Sequence, residues 1–242
     1  MRILSIGNSF SQDAHAYLHK LALFNGLDIS ASNLFIGGCS LEHHIECLNS
    51  GRSEYDLEIN GVRQRKISLK EALTADNYDF ITLQQASYLS GVPQSYFPYL
   101  SELIGFCKTA NPKASLLFHE TWSYESDYKN DGFKKYNNDN GEMFRRIHDC
   151  ALTVNKIYGL PVIPVGSVIQ NIRETIPEFN YLGGGMSLCR DGLHLSLDYG
   201  RLIASAVWVK FLSGKPVDIK GFIDADESII DKISNLISNY QE

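Results

Sequence analysis

Three side chains set the chemistry to look for first: Ser9 near the start of the sequence, and Asp191 and His194, three residues apart near its other end. A hydroxyl is a weak nucleophile at neutral pH. It becomes an effective one when an imidazole takes its proton and a carboxylate orients that imidazole. Such a set is recognised by roles and geometry, so wide separation along the chain is no obstacle. Ser9 comes just after the apolar run Ile3–Ile6 and the pair Gly7-Asn8, at the expected carboxyl end of a first strand, where open parallel sheets present ligands. Gly7 permits a sharp turn, and the Ser9 amide can face a developing oxyanion. The competing reading is structural: Gly-Asn-Ser merely caps the next helix, and Asp191 and His194 share a solvated turn.

Further donors are suggested at other strand ends. Gly37-Gly38 lies in Asn33–Ser40, where bare backbone amides can approach a ligand, and Gly38 is the candidate second oxyanion donor. Gln84 and Gln85 follow a third strand, and a side-chain amide there can add another donor. His119, Trp122 and Tyr124 are candidates for lining the substrate pocket, the aromatic rings (with Tyr128) by stacking on a sugar ring or an acyl group. Internal packing of a long loop is the alternative. Ser11 and Asp13 read as cap and start of the first helix. His43 and His44, with Glu42 and Glu46, raise the question of a metal. Consecutive helical side chains diverge, however, and no further ligands stand out, so no metal is expected.

These residues need a scaffold that brings strand ends together. Short apolar runs at Arg2–Ile6, Asp28–Leu34, Phe80–Leu83, Ala114–His119 and Pro161–Val165 alternate with helical patterns, which predicts a five-stranded parallel sheet covered by helices on both faces. Asp13 to Asn25 has helical spacing and stops at Asn25-Gly26, completing a βαβ unit. Asn60-Gly61 between alternating segments signals a type I′ hairpin, expected as a small excursion from the main sheet. Ser68 and Glu71 have capping-box spacing, and further helices are predicted at about 97–110, 140–158 and 198–213, the last buried on one face. Residues 122–140 read as a long polar and aromatic loop.

Composition bounds the rest. At 242 residues and 44% hydrophobic content the chain is expected to form one domain, 1–242. The net charge of −6, with no basic stripe, argues against nucleic acid as a partner. Five scattered cysteines suggest neither a disulfide framework nor a zinc motif. No apolar run approaches the ~20 residues of a membrane span, and no signal-peptide core follows Met1. The sequence as written reads as cytoplasmic, an exported mature form with its leader removed being the alternative.

The combined blocks resemble the SGNH (GDSL-like) hydrolase superfamily: Gly7-Asn8-Ser9-Phe10-Ser11, then Gly37-Gly38, then a polar amide after the third strand, then Asp191-Gly192-Leu193-His194. More narrowly, Ile6–Ala14, Ile36–Glu42, Gln84–Ser87, His119–Trp122 and Cys189–His194 look like an uncharacterised bacterial branch of it. The resemblance implies a flavodoxin-like three-layer α/β/α sandwich and an esterase with Ser9 as nucleophile, His194 as base and Asp191 as its partner. It also implies an oxyanion hole from the Ser9 and Gly38 amides and requires no cofactor. Two departures stand out: Asn8 replaces the usual aspartate before the serine, and the Gly-x-Asn-Asp block is missing. Gln84, or else Gln85, is then the expected replacement donor. The expected substrate is a small-molecule or carbohydrate ester with a short acyl chain, including O-acetyl groups on carbohydrates. The alternatives are an acyl transferase on the same scaffold and a non-catalytic carbohydrate-binding protein. Neither a membrane partner nor an oligomeric state is indicated.

Overall fold

Alternating apolar residues on the strands force a layered structure, because each face of the sheet must be covered. The fold comes from a computed structural model that describes residues 1–240. Its first half contains β1 (Arg2–Gly7), α1 (Ser9–His15), α2 (Leu18–Phe24), β2 (Ser30–Phe35), α3 (Leu41–Ser50), β3 (Tyr55–Ile59), β4 (Val62–Ile67), α4 (Leu69–Ala75) and β5 (Phe80–Leu83). Then come α5 (Tyr99–Ala110), β6 (Ser115–His119), α6 (Asp131–Lys134), α7 (Asn140–Tyr158), β7 (Val162–Ile163), α8 (Val165–Thr175), α9 (Tyr199–Ser213) and α10 (Glu227–Asn239).

The sheet has seven strands in the order β4-β3-β2-β1-β5-β6-β7. The five strands from β2 to β7 are parallel, each in register with its neighbours, and their order is that of a flavodoxin-like doubly wound sheet. The expected α/β/α architecture is present, with one correction: the hairpin is part of the sheet. β3 pairs antiparallel with β2 from Ser32↔Ile59 to Phe35↔Asp56, and β4 extends the sheet beyond it. Without this hairpin, β2 would leave an open row of backbone donors and acceptors. The new edge, β4, displays Arg63, Gln64, Arg65 and Lys66 to solvent, a charged border that discourages pairing with another chain. Asn60 and Gly61 both have positive φ (53° and 79°), as the type I′ turn requires.

Side-chain alternation divides the core in two. Ile3, Ala31, Leu117 and Ile163 pack toward α1, α2, α8, α9 and α10, whereas Leu4, Ile6, Leu34, Ile81, Leu83 and Phe118 pack toward α3, α4, α5 and α7. α9 is buried on almost every side rather than on one, because α2, α8 and α10 all lie against it. α8 and α10 have no counterpart among the predicted helices.

Other boundaries follow local chemistry. The predicted helix from Asp13 is two helices: α1 begins already at Ser9, and the Tyr17 amide bonds Ser205 Oγ of α9 (3.2 Å) where the chain breaks. β7 keeps only two of the predicted five residues, because Pro164 lacks an amide to donate to the ladder and becomes the N-cap of α8. Ser68 does cap α4, accepting from Glu71 N at 3.1 Å, but the Glu71 carboxylate pairs with Arg65 instead of completing the box. All five cysteines are free. Among the described residues no helix is long and apolar enough to cross a membrane.

Candidate active site

The turn after β1 is built around Asn8. Its Oδ1 accepts from Phe10 N (3.0 Å), while its own amide donates to Ser11 Oγ (3.2 Å), a reciprocal cap that starts α1 at Ser9. Ser9 therefore occupies the first helical position, where the amide has no intrahelical partner. Gly7 is required because the helix rises directly off the strand end: a Cβ there would stand 2.2 Å from Ser11 Oγ. The expected capping role falls to Asn8 with Ser11, and not to Asp13.

Asn8 also reaches sideways. Its Nδ2 donates to the Cys39 carbonyl (3.1 Å), tying the Ser9 turn to the Gly37-Gly38 loop after β2, where Gly38 has φ +63°. An aspartate could not make this contact, because a carboxylate has no hydrogen to donate.

At the opposite end of the chain, Asp191 folds a tight turn around itself. Its Oδ1 accepts from Leu193 N (3.0 Å) and His194 N (2.7 Å), and Oδ2 accepts from His194 Nδ1 at 2.7 Å. Burial pushes the Asp191 carboxyl upward, but the hydrogen bonds from the His194 ring and the two amides outweigh it and hold the group below the usual carboxylate range. With the proton on Nδ1 directed at Asp191, His194 Nε2 remains as an acceptor. Gly192 is fixed by φ +81° and by Tyr128, whose ring would lie 2.7 Å from an added Cβ.

Ser9, Gly38 and His194 line one cleft of about 530 Å³. Tyr124 lines it too, its hydroxyl sharing a 2.8 Å hydrogen bond with Ser87 Oγ. The Ser9 hydroxyl has no hydrogen-bond partner among the described residues, so it and His194 face the cleft without a direct bond. Catalytic hydrogen bonds often tighten only when substrate arrives.

The remaining predicted residues stand behind the cleft. Gln84 is buried; its Nε2 donates to Asn8 Oδ1 (2.8 Å) and its Oε1 accepts from His119 Nδ1 (2.9 Å). Gln85 Oε1 accepts from Leu41 N (3.0 Å) and Ala86 N (2.8 Å), while Nε2 donates to Ser95 O (2.9 Å). Neither glutamine lines the cleft, and the side-chain NH2 of each is directed at a neighbouring protein oxygen. His119 is fully buried and its pKa is pushed down to about 3, first by burial and then by His15. Trp122 stacks on Phe10 (centroids 4.0 Å apart) and donates from Nε1 to Leu193 O at 2.9 Å, so it supports the histidine turn rather than a ligand.

Several cleft residues escaped sequence reading: Gln12, Phe35, Ser87, Tyr88, Asn130 and Arg190. Arg190 is the most consequential. Its guanidinium donates to both oxygens of the fully buried Asp13 (3.0 and 3.1 Å) and to the Leu195 carbonyl, while Arg201 Nε reaches Asp13 Oδ1 at 2.8 Å. The Leu195 amide donates to Asp13 Oδ2 at 2.8 Å. The available signal was an acid just past Ser9 and a base just before Asp191, opposite charges flanking the two motifs.

A protein from Bacteroides uniformis is similar at 32% identity and TM-score 0.89, covering 99% of this chain and 93% of its own. A candidate SGNH hydrolase from Slackia heliotrinireducens aligns at TM-score 0.60 and 22% identity, over 88% of this chain and 98% of its own. Axe2, an acetylxylan esterase from Geobacillus stearothermophilus, aligns at TM-score 0.56 and 11% identity, over 90% and 97%. At those identities the last two show a shared fold, that of the SGNH hydrolases. No curated protein matches the chain. The model of the domain of unknown function DUF4886 matches residues 2–240, and the Bacteroides uniformis protein is itself a DUF4886 family protein; the chain belongs to the DUF4886 family.

Proposed function

We propose that this protein is a serine esterase that hydrolyses short-chain carboxylic esters through an acyl-serine intermediate, with O-acetyl groups on carbohydrates as the substrate class. The observation that carries the reading is that Ser9, Gly38 and His194 line a single cleft, with His194 Nδ1 held by Asp191 at 2.7 Å.

In this mechanism His194 Nε2 removes the proton from Ser9 Oγ as the oxygen attacks the acyl carbon. The oxyanion is received by the amides of Ser9 and Gly38. His194 returns its proton to the departing alcohol oxygen. Water then enters, gives a proton to His194 and attacks the acyl-serine; the carboxylic acid leaves and Ser9 regains its hydrogen. Asp191 stabilises the imidazolium formed at each stage.

A third donor is assigned to Asn130. It lines the cleft, its Oδ1 is occupied by Gly132 N (2.7 Å), and its side-chain NH2 supplies the amide that the two glutamines have committed elsewhere. The acetyl-carbohydrate assignment is supported by the rings of Tyr88, Tyr124 and Phe35 along the cleft and by the shared fold with acetylxylan esterases.

The test is release of nitrophenol from nitrophenyl acetate and butyrate by wild type and Ser9→Ala, followed by acetate release from acetylated xylo-oligosaccharides. Turnover by wild type and none by a folded Ser9→Ala is the expected result. Equal turnover by both would remove Ser9 as nucleophile, and ligand-induced stabilisation without any turnover would favour a binding protein.

A further inference from the structure

On the far side of the Gly37-Gly38 loop, α3 and the segment entering β3 bring together three side chains of metal-binding type. His43 and Cys47 are one turn apart and share a face of α3, and Glu54 lies across from them just before β3. His43 Nε2 is 3.7 Å from Glu54 Oε2, Cys47 Sγ is 3.8 Å from the same oxygen, and one ligand atom from each of the three residues lies within 4.8 Å of the others. Zinc bonds of about 2.0–2.3 Å in a tetrahedron put neighbouring ligand atoms roughly 3.3–3.8 Å apart. The unliganded spacing is therefore close to what the ion requires.

The surroundings prepare each ligand. His43 Nδ1 donates to Glu46 Oε2 (2.9 Å), which leaves Nε2 as the ring's metal-facing acceptor and reproduces the carboxylate–histidine support common behind metal ligands. Arg52 Nε holds Glu54 Oε1 at 2.8 Å, so the other carboxylate oxygen is the one turned to the cluster. Cys47 is buried beneath the half-exposed His43 and Glu54, which gives an ion a route from solvent. We propose that His43 Nε2, Cys47 Sγ and Glu54 Oε2 form a zinc site, with water in the fourth position. A mixed nitrogen, sulfur and oxygen set suits zinc and not magnesium or calcium, which take oxygen alone. The free residue is a thiol whose hydrogen is directed at Glu54 Oε2. On binding, the S–H bond breaks as the Zn–S bond forms, and the proton passes to solvent.

His43 and His44 diverge, as consecutive helical side chains must: His44 turns inward to Tyr55 Oη (2.7 Å) and Cys39 Sγ (3.4 Å). The ligands that join His43 come from the next turn and the next element instead.

Cobalt(II) provides the test, since a cobalt–thiolate bond gives a charge-transfer band in the near ultraviolet. Titrating the full chain with cobalt should give a band that saturates at one equivalent and is abolished by added zinc. Cys47→Ser should eliminate it, and Glu54→Gln, a surface change that leaves the fold alone, should weaken cobalt affinity at least tenfold. Glu46→Gln should weaken it about tenfold through the loss of support behind His43, while Ser9→Ala should titrate as wild type does. Absence of a band, or a band unchanged in both Cys47→Ser and Glu54→Gln, would overturn the proposal.

Discussion

Asp13, one turn beyond Ser9, is held at both carboxylate oxygens by Arg190, the residue immediately before Asp191, at 3.0 and 3.1 Å. The contact fastens the helix that begins at Ser9 to the turn that carries His194. Asp13 is fully buried, whereas the side chains of Arg190 and Arg201 are about one-third and one-quarter exposed. Removing the acid frees two cations that can partly rehydrate and strands the Leu195 amide. Removing Arg190 leaves the acid still paired with Arg201. Asp13→Ala is expected to cost about 3 kcal/mol in urea unfolding, within the range for breaking a buried pair. Arg190→Met should cost less stability yet lower kcat, because Arg190 also lines the cleft; equal losses from both would contradict this asymmetry.

Asp191→Asn keeps the shape of the turn but replaces the acceptor of His194 Nδ1–H with an amide that can present a donor to it. Loss of about 10³–10⁴ in kcat is expected, with KM for nitrophenyl acetate little changed, since the tautomer and not the pocket is altered. A decrease under tenfold would indicate that Asp191 does not orient the base.

Gln84→Leu distinguishes a brace from an oxyanion donor. As a brace, the residue holds Asn8 and satisfies His119 Nδ1, so its loss should cost about 1–3 kcal/mol of stability by leaving a buried group unpaired. Asn130→Ala should do the reverse, lowering kcat about 10²-fold with little change in unfolding, as expected when one oxyanion donor is removed. Exchange of these two phenotypes would return the donor role to Gln84.

Acid should unfold the protein through its buried histidines. His15, His44 and His119 are fully buried and burial pushes each down to about 3, with lesser contributions from His43 at His44 and His15 at His119. Below the unfolded value near 6.5 the unfolded chain binds protons that the native one refuses, so stability is intact above that pH and falls as the pH drops toward 3. Each site contributes up to about 1.4 kcal/mol per pH unit in that window. Urea titrations at pH 7, 6, 5 and 4 should show the decline, and His119→Gln should reduce its slope by about a third.

The parallel strands were legible because continuous apolar runs between helical patterns have few other uses, and the Asn60-Gly61 turn because two consecutive positive φ angles select those residues. What escaped is what depends on tertiary partners. The placement of the hairpin followed from the needs of the β2 edge, and no local signal carries that. α8 and α10 owe their stability to packing on α9. At the candidate site, Ser9, Gly38 and His194 were identified from motif order, and the structure brings them into one cleft. The surroundings of Gln84 and Gln85 were not legible, because a buried amide after a strand looks the same in sequence whether it faces a ligand or braces a turn. Arg190 and Asp13 could not be paired from sequence, since charge proximity across 177 positions appears only in the fold.

The long sequence separation of Ser9 from His194 has a consequence for biosynthesis. A nascent chain that has emerged only through α8 holds Ser9 and Gly38 but neither the base nor either arginine that neutralises Asp13. Such an intermediate would lack the proposed base and would carry a carboxylate without either of its cationic partners. The segment beyond α8 thus supplies both the proposed base and the cations that let Asp13 be buried, so ester turnover, on the reading proposed above, would report that this segment has docked.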